Sequence, residues 1–487
     1  MSSPLENLKP QLVWRHFDAM LQIPRPSKHE EQISQHVISW AESKGFQVKR
    51  DAAGNLVVRV PATPGKENAP TVVLQGHLDM VAEKNQDVDF DFLKDAIKPR
   101  IEGDHLYATG TTLGADNGIG LAGGMAVAED PDAVHGPLEL LMTVDEETGL
   151  TGAMQLDPSL LEGRLMINLD TEEDGAIYIG CAGGSTTRIR FEVFREDAAA
   201  GSKPIHIAVR GLRGGHSGME IHENRGNALK CIARTLNALR KAGVDFAVVS
   251  MTGGSKHNAI PREADAVLRV AAAHEAKLKE AVTKIEAVLR DEFGEIDPNL
   301  KLEVKAAEGD TSKVWTNADR DRILDSLLAC PNGVMSMSRA VAGLVETSNN
   351  LAVMEMDGNK VEILGSSRSS VMPSLQGAVE QVAAVFRLAG AEVEEMDGYP
   401  SWKPNPNSPL LGVAKKVHKE LFNKEPHLRA IHAGLECGLI GEKFPGMDMI
   451  SIGPSIEGPH SPDERVQIST VENFYTLLKG VLKTLAA

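Results

Sequence analysis

The sequence predicts an α/β fold: a discontinuous domain, built on a mostly parallel sheet flanked by helices, is interrupted by an inserted α+β domain. Its 487 residues exceed what one ordinary hydrophobic core holds, which indicates two domains. In residues 1–185, short apolar runs alternate with helical segments, as expected for buried strands of a parallel sheet. In residues 186–397, apolar and polar residues alternate between charged helices, which indicates antiparallel strands covered on one face. The first pattern returns in residues 398–487, so we assign both outer segments to one domain.

The elements of the outer segments follow from periodicity and from turn residues. Two amphipathic helices are expected within residues 10–45, and the capping-type sequence Ser27–Glu30 is expected to open the second of them. The remaining expected elements are strands at Val48–Val60 and Thr71–Leu78, a glycine-rich helix at Asp116–Glu129, strands that end at Asp145 and Asp170, a helix at 408–422 and a strand at Met447–Gly453.

The inserted segment carries a different set of elements. Its expected strands include Ile205–Arg210, Ala264–Val270 and Val361–Leu364, and its expected helices are Arg225–Lys241, Glu275–Arg290 and Leu375–Leu388. Alternating strands with helices on one face are typical of an α+β domain.

Composition excludes several classes of function. The formal net charge of −17 and the pI of about 5.4 argue against nucleic acid and anionic membranes as partners, because both attract basic surfaces. The sequence has no apolar stretch of the roughly 20 residues that a membrane helix needs, and no signal peptide is indicated. The four cysteines, which are Cys181, Cys231, Cys330 and Cys437, are scattered as in a reduced protein. We therefore expect a cytoplasmic protein.

Residues able to bind or assist a metal ion stand where the apolar runs end. They are His77, Asp79, Glu146, Glu147 and Asp170, together with Asp116 at the head of a helix and His460 far downstream. Buried strands that stop at such residues assemble a site at the carboxyl edge of an open α/β sheet. Because His460 belongs with this set, the middle of the chain is interpreted as an insertion. The set predicts a hydrolase that uses two metal ions.

Three of these residues, His77, Asp79 and Asp116, have a chemical role and an ordinary alternative, which for His77 and Asp79 is a surface or core pair. His77 and Asp79 are two apart at a strand end, so their side chains point to the same side. Asp79 can then take the proton on the ring nitrogen of His77 that faces away from a metal ion. Asp116 is either a helix N-cap or a carboxylate that bridges two cations about 3.5–4 Å apart.

The remaining candidates complete a ligand set. Glu146 and Glu147 are expected to diverge on an extended segment, so that one binds metal while the other acts as the general base. The ordinary alternative for this acidic pair is a solvated loop. Asp170 and His460 would complete the nitrogen and oxygen ligands that zinc, cobalt or manganese accepts.

The segments around these residues resemble the co-catalytic zinc peptidases, a family that includes aminoacylases, carnosinases and tripeptidases. They are Gly76–Asp79, Gly114–Gly118, Glu146–Glu147, Asn168–Asp170 and Gly458–Ser461. The resemblance implies two divalent metal ions, Zn²⁺ with Co²⁺ or Mn²⁺ as substitutes, and the ligands His77, Asp116, Glu147, Asp170 and His460. It also implies that Asp116 bridges the ions, that Glu146 is the general base and that Asp79 holds His77.

Further segments are similar to bacterial cytosolic members of this family that hydrolyse Xaa-His dipeptides. They are Gly214–Gly218, His257–Arg262, Cys330–Val334, His432–Gly438 and Gly458–Glu464. This resemblance implies a short peptide substrate of the carnosine type, cleaved by attack of a metal-bound hydroxide on the peptide carbonyl. An aminopeptidase or aminoacylase of the same family with another substrate is the alternative.

The same resemblance implies that the inserted domain is a lid that contributes to the site. His216 is then expected to stabilise the oxyanion, while Asn258 and Arg368 contact the substrate. Gly434 and Glu436 are expected near the active site, with Glu436 at the substrate's amino group. At roughly 210 residues the lid is long for one dimerisation module, so an internally doubled lid and a homodimer both stay open.

The sequence gives less support to three other functions. Gly118–Gly123 matches the GxGxxG fingerprint of a dinucleotide-binding oxidoreductase, but the fingerprint requires a buried strand directly before it, and a loop is expected there. The glycines are better explained by close packing of the helix behind Asp116. A non-catalytic metal-binding protein would not need both Glu146 and Glu147. Serine hydrolase chemistry is not indicated, because the segment around Ser217 does not fit the G-x-S-x-G elbow.

Overall fold

The computed structural model describes residues 3–487, which form two compact units. The first unit contains the residues up to Gly180 together with Trp402–Ala430 and Leu435–Ala487. The second unit contains Cys181–Ser401 and the short segment Ile431–Gly434. The assignment of these units as a catalytic domain and a lid stays a prediction.

The chain up to residue 181 alternates helices and strands. The helices are α1 (Gln11–Leu21), α2 (Glu31–Ser43), α3 (Ala115–Glu129), α4 (Glu146–Gly149) and α5 (Thr151–Gln155). The strands are β1 (Gln47–Arg50), β2 (Leu56–Val60), β3 (Val72–His77), β4 (Pro99–Glu102), β5 (His105–Ala108), β6 (Leu138–Thr143), β7 (Leu165–Asn168) and β8 (Ala176–Cys181).

Strands and longer helices follow in the second unit. The helices are α6 (Ala228–Lys241), α7 (Glu275–Phe293), α8 (Asn317–Ala329) and α9 (Met372–Leu388). The strands are β9 (Gly183–Glu192), β10 (Arg195–Asp197), β11 (Lys203–Arg210), β12 (Gly215–His216), β13 (Phe246–Gly253), β14 (Ala259–Ile260), β15 (Ala264–Val270), β16 (Lys301–Ala306), β17 (Lys313–Trp315), β18 (Gly333–Met337), β19 (Val345–Asp357), β20 (Lys360–Ser369) and β21 (Glu392–Glu395).

The last part of the chain contributes its elements to the first unit. The helices are α10 (Pro409–Phe422), α11 (Glu436–Lys443) and α12 (Ile468–Leu485). The strands are β22 (His427–Ile431), β23 (Asp448–Ser451), β24 (Ile456–Glu457) and β25 (Arg465–Gln467).

The main sheet of the first unit has the strand order β1-β2-β6-β3-β7-β23-β8-β22. Its centre, β6-β3-β7-β23, is parallel, whereas the pairs β1–β2, β2–β6 and β23–β8 are antiparallel. The α/β fold class predicted from the sequence is confirmed, with the parallel arrangement concentrated in the central strands. In the parallel register His77 lies opposite Thr143, and Gln75 lies opposite Asn168. The residues that follow these strand ends therefore emerge at one edge of the sheet.

The second unit is built on an antiparallel sheet of nine strands, in which β18 pairs with β19 beside the path β16-β11-β15-β13-β19-β20-β9-β21. On β15, alternate residues from Ala264 to Val270 are buried, which is the period of two that its sequence predicted. Helices α6, α7, α8 and α9 contribute buried apolar side chains to the same core as the sheet. This arrangement is the α+β plan expected for the inserted segment.

The segment Val48–Val60 is not one strand, as predicted, but contributes to two antiparallel strands, β1 and β2. Two further local predictions are wrong. Ser27 does not cap the second helix, which begins at Glu31: its hydroxyl donates to Asp79 Oδ2 at 2.7 Å. The Glu30 carboxylate accepts instead from the backbone N–H groups of Lys28 and Asp145, at 2.8 and 3.0 Å. The contacts with the distant residues Asp79 and Asp145 therefore take the place of a local capping box.

The second of these two predictions concerns the acidic pair. Glu146 and Glu147 are not on an extended segment but begin the short helix α4, directly after Asp145 at φ +51°. Their side chains still diverge, because consecutive residues of a helix point about 100° apart around its axis.

Within residues 3–487, no helix combines the length and the apolar character that crossing a membrane requires.

Candidate metal centre

Side chains from several parts of the first unit meet at the carboxyl edge of its central strands. His77 is the last residue of β3, Asp170 follows β7, and Glu147 follows β6 in α4. Asp116 lies in the first turn of α3, and His460 lies in the loop between β24 and β25. All five residues predicted as ligands are therefore brought together.

Asp116 is the residue that these groups share. Its Oδ1 lies 3.0 Å from His77 Nε2, and its Oδ2 lies 3.3 Å from His460 Nε2. His460 Nε2 is also 3.0 Å from Glu147 Oε2, and His77 Nε2 is 3.5 Å from Asp170 Oδ1. Of the four clusters of potential ligand atoms among the described residues, two contain Asp116. They are His77–Asp116–Asp170 and Asp116–Glu147–His460.

The donor set fits divalent cations. Glu147 Oε1 and Asp170 Oδ1 are buried and have no hydrogen-bond partner among residues 3–487. Burial raises the pKa of Asp170 to about 8, because the ionised carboxylate is removed from water and faces another carboxylate, Asp116. Such crowded oxygens together with imidazole nitrogens are the ligands that zinc-type ions accept, so these side chains form a candidate site for divalent cations.

Asp79 contacts His77 and the start of α4 but belongs to neither of the clusters that contain Asp116. His77 Nδ1 lies 3.1 Å from the Asp79 backbone oxygen and 3.4 Å from its Oδ1. The same carboxylate accepts from the backbone N–H groups of Glu146 and Glu147, at 3.0 and 3.2 Å. It therefore orients a histidine and the start of α4 together.

Glu146 stands beside the clusters with a different environment from Glu147. An oxygen of Glu146 lies within 4.8 Å of ligand atoms of His77 and Glu147. Burial raises the pKa of Glu146 well above its usual value, and the neighbouring carboxylates add to this. A carboxylate with a raised pKa beside a metal centre is suited to taking up a proton.

The sequence did not single out two buried residues, Arg25 and Glu464, that hold the backbone of this centre. Arg25 Nη1 donates to the carbonyl oxygens of Leu78 and Asp79, both at 2.9 Å, and Nη2 donates to that of Gly114. Glu464 accepts from backbone N–H groups at the start of α3. A lone arginine between two prolines has no distinctive pattern, whereas the position of Glu464 four residues after His460 was a usable signal.

The glycines near Asp116 serve close packing. A Cβ atom at Gly76 would lie 2.1 Å from Asn117 Oδ1, and one at Gly120 would lie 2.2 Å from the carbonyl oxygen of Leu169. Asn117 Nδ2 donates to that same carbonyl at 2.8 Å. The residues just before α3 are not in a strand, so the strand that the dinucleotide fingerprint requires is missing within the described chain.

His216 belongs to the second unit, and its ring has a defined tautomer. Its Nδ1 accepts from the backbone N–H groups of Gly218 and Met219, at 3.2 and 3.0 Å. Burial lowers the pKa of His216, with Arg368 adding to the effect, so the ring is neutral. In a neutral imidazole the other nitrogen, Nε2, then carries the proton.

Arg368 and Asn258 also lie in the second unit. Arg368 is 6% exposed, has no carboxylate partner within 3–487, and its buried Nε has no hydrogen-bond partner there. Its Nη1 donates to the hydroxyl of Tyr399 at 2.7 Å. Asn258 is attached to the His216 segment through its carbonyl oxygen, which accepts from Ser217 N–H at 2.9 Å.

Gly434 and Glu436 fall in different units. A Cβ atom at Gly434 would lie 2.8 Å from the ring of Tyr399, so close packing accounts for this glycine. Glu436 is 1% exposed and accepts from Gln75 Nε2 at 2.6 Å and Thr143 Oγ1 at 2.7 Å. Its Oε1 has no partner among the described residues, and burial raises its pKa to about 7.

An α/β sheet with a carboxylate and imidazole metal centre at its carboxyl edge defines a metal-dependent hydrolase. A family model described as peptidase family M20/M25/M40 matches residues 73–484. The chain belongs to this family and is a metallopeptidase, which confirms the family and enzyme class predicted from its motifs.

Individual relatives span the whole chain. The sequence is 44% identical over 485 residues to the cytosol non-specific dipeptidase of Escherichia coli (strain K12), covering 100% of both chains. The crystal structure of aminoacylhistidine dipeptidase from Vibrio alginolyticus matches with a TM-score of 0.92 and 42% identity, over 99% of this chain and 98% of that one. A tripeptidase from Staphylococcus aureus matches at 17% identity with a TM-score of 0.57, over 98% and 99% of the two chains, and shares the fold.

We predict that Gly76→Ala destabilises the first unit by about 1–3 kcal/mol, because the added methyl group displaces the buried Asn117 amide. Asn117→Ala removes the clashing atoms, so it should cost less stability in the Gly76→Ala background than in the native protein. A double-mutant cycle on urea unfolding midpoints measures this coupling.

Gly124→Ala is the matched control, because a Cβ atom there meets Leu169 Cδ1 at an ordinary 3.5 Å and lies inside α3. This variant should be neutral or stabilising by up to about 1 kcal/mol. Additive effects of Gly76→Ala and Asn117→Ala would contradict the packing argument.

Proposed function

We propose that this metallopeptidase is a dipeptidase whose active centre holds two divalent cations bridged by Asp116. The observation that carries the proposal is the placement of the two Asp116 carboxylate oxygens against different imidazoles, those of His77 and His460. One cation would be held by His77, Asp116 and Asp170, and the other by Asp116, Glu147 and His460. Zn²⁺ is the proposed ion, with Co²⁺ or Mn²⁺ as substitutes, because the set mixes imidazole nitrogen and carboxylate oxygen.

Two such cations supply a Lewis acid for the peptide carbonyl and lower the pKa of water to about 7. Glu146 is the proposed general base: its carboxylate takes the proton of the attacking water and then delivers it to the leaving amine. Asp79 is the proposed partner of His77, holding the ring through Nδ1 and holding Glu146 and Glu147 through their backbone N–H groups.

Residues of the second unit are proposed to act on the substrate. The neutral His216, with its proton on Nε2, is a suitable donor to the oxyanion, where one fixed donor contributes about 3–4 kcal/mol. Arg368 is proposed to bind the terminal carboxylate of the peptide, which a guanidinium fork can hold with two hydrogen bonds. A buried guanidinium with an unpartnered Nε supports this role. Asn258 is proposed as a further substrate contact, and the second unit as a lid.

Two residues near β22 and α11 have weaker proposed roles. Glu436 is proposed to bind the substrate's amino group, and its unpartnered Oε1 supports this. Its other oxygen is already engaged by Gln75 and Thr143, so a purely internal role is the competing hypothesis. Gly434 is proposed as a substrate-site residue because it packs closely against Tyr399, whose hydroxyl accepts a hydrogen bond from Arg368.

The proposed substrates are Xaa-His dipeptides, including carnosine-like ones. The Vibrio relative is named for aminoacylhistidine, whereas the Escherichia coli relative is called non-specific, so histidine preference is the part that experiment must decide. The cytosolic name of the second relative supports a cytoplasmic location. A homodimer formed through the second unit is one proposed assembly, and an internally doubled lid is the alternative.

We expect hydrolysis of β-alanyl-histidine and glycyl-histidine to cease after chelation and to return when Zn²⁺, Mn²⁺ or Co²⁺ is added. A panel of Xaa-His dipeptides, other dipeptides, tripeptides and N-acetylated amino acids, followed by chromatography of the products, measures this. Cleavage of tripeptides in preference to dipeptides would indicate the aminopeptidase alternative. Cleavage of acetylated amino acids in preference to dipeptides would indicate the aminoacylase alternative. A folded, metal-loaded protein that cleaves none of them would refute the proposal.

Exchanging each member of the acidic pair should separate its two roles. Glu146→Gln should lower kcat by about 100- to 10,000-fold while metal content stays unchanged, since it removes the proton acceptor. Glu147→Gln should lower metal content as well, since it removes a ligand. Metal analysis of dialysed protein together with steady-state kinetics distinguishes the two. Loss of metal from Glu146→Gln would overturn the assignment of roles.

Arg368→Met should lower kcat/KM by about 10- to 100-fold for dipeptides with a free carboxylate, because a hydrogen-bonded charge pair is lost. Dipeptide amides, which lack that carboxylate, should be poor substrates of both proteins and nearly unaffected by the change. Arg190→Met on the neighbouring strand β9 is the control, since its guanidinium pairs with Glu362 and Glu394. An equal loss on acids and amides would contradict carboxylate binding.

A further inference from the structure

The loop that carries His460 contacts the rest of the first unit through the His460 ring and through the side chain of Glu464. This loop, Gly458–Glu464, joins β24 to β25, and among its residues Glu464 alone is buried, at 2% exposure. His460 itself is exposed and has φ +62°. Within the loop, Ser461 Oγ donates to the Gly458 carbonyl oxygen and Glu464 N–H donates to that of Ser461. Such short-range bonds shape the loop but do not attach it to the rest of the first unit.

The Glu464 side chain makes that attachment at the start of α3. Its Oε2 accepts from the backbone N–H groups of Leu113 and Gly114, at 2.7 and 2.9 Å. Its Oε1 accepts from those of Ala115 and Asp116, at 2.7 and 3.2 Å. One carboxylate thus engages four consecutive N–H groups, the last of them belonging to Asp116.

The start of α3 needs such a remote acceptor. The N-cap residue is Gly114, at φ +71°, which has no side chain to accept the first free N–H groups of the helix. Asp116 cannot cap its own helix, because its oxygens face His77 and His460. A negative charge near these N–H groups is also favoured by the helix dipole.

We propose that Glu464 is a positioning residue that fixes the backbone of Asp116 and the loop of His460 relative to each other. This inference rests on the proposed two-metal site, in which both residues hold the same cation. Glu464 connects the Asp116 backbone to the His460 loop. The cluster Asp116–Glu147–His460 contains both of these residues, whereas the cluster His77–Asp116–Asp170 contains only Asp116. Loss of Glu464 should therefore weaken binding at the first of these clusters more than at the second.

Glu464→Gln tests the role with little change in shape, since an amide retains one acceptor oxygen and turns an NH₂ group toward backbone donors. Titration of the metal-free protein with Zn²⁺ against a competing chelator should give two ions per chain for the unaltered protein. In the variant, one ion should bind with similar affinity and the other about 10- to 100-fold more weakly, as found when partners behind metal ligands are removed.

A second readout does not depend on metal. Hydrogen exchange of the metal-free protein should become faster in Glu464→Gln at the amides of Leu113–Asp116 and across Gly458–Glu464. Glu139→Gln is the matched control, because Glu139 is also a buried carboxylate of the first unit that accepts backbone N–H bonds, from Glu162 and Gly163. It should leave both exchange at these segments and metal affinity unchanged.

The outcomes separate this proposal from the proposed function. Two ions bound equally well by Glu464→Gln and by the unaltered protein would overturn the positioning role, as would unchanged exchange at Leu113–Asp116. An unaltered protein that binds fewer than two ions refutes the two-metal site, while the exchange comparison still decides whether Glu464 positions these segments. Equal losses of metal affinity in Glu464→Gln and Glu139→Gln would indicate general destabilisation and overturn the proposal.

Discussion

The carboxylate of Asp116 is shared between two imidazoles, and much of the first unit is arranged around that sharing. A carboxylate can keep both contacts only if its backbone is held, because rotation toward one histidine moves it away from the other. Glu464 holds the N–H groups before and at Asp116, and Asn117 holds the carbonyl oxygen of Leu169. Arg25 joins the carbonyl oxygen of Gly114 to those of Leu78 and Asp79. These bonds connect segments that are far apart in the chain to the same short stretch of backbone.

The buried carboxylates of this centre differ in whether the protein itself supplies hydrogen-bond donors to all of their oxygens. Asp79 and Glu464 are saturated by donors of the protein itself, mostly backbone N–H groups, so each of their oxygens is hydrogen-bonded within the fold. Glu147 and Asp170 each retain a buried oxygen without a hydrogen-bond partner in residues 3–487. Burying such oxygens costs desolvation free energy that no internal hydrogen bond offsets. A bound cation would offset this cost. Among these four carboxylates, saturation by protein donors therefore separates the two proposed positioning residues, Asp79 and Glu464, from the two proposed ligands, Glu147 and Asp170.

The sequence predicted the parts of this centre that lie next to strong local signals. His77 and Asp170 were found because apolar runs end beside them, and these runs are the central strands β3 and β7. The geometry of Glu146 and Glu147 was missed, because the left-handed conformation of Asp145, which starts α4, has no apolar pattern. Ser27 was assigned to a local cap because sequence spacing cannot reveal that Asp79 competes for its hydroxyl.

Residues whose partners are backbone atoms of distant segments leave no periodic signal at all. Arg25 and Glu464 belong to this kind, and so does Asn117, whose partner is a carbonyl oxygen at the end of another strand. For the second unit, the domain class followed from the period of two, but His216, Asn258 and Arg368 came from resemblance to relatives. Hydrophobic pattern thus predicts where strands end, whereas the bonds that orient the side chains there depend on tertiary contacts.

The polar residues of the first unit's centre are mainly acceptors, whereas those of the second unit are mainly donors. The centre in the first unit presents acceptors, carboxylate oxygens and imidazole nitrogens, which suit cations. The polar residues of the second unit present donors: Arg368 has a buried guanidinium, and His216 has its proton on Nε2 because Nδ1 already accepts two backbone N–H bonds. Burial lowers the pKa of His216, so this donor keeps its neutral form where water is excluded. In the proposed reaction such a neutral donor would stabilise a developing oxyanion without binding a resting carboxylate as strongly as a cation does, which would favour the transition state over the product acid.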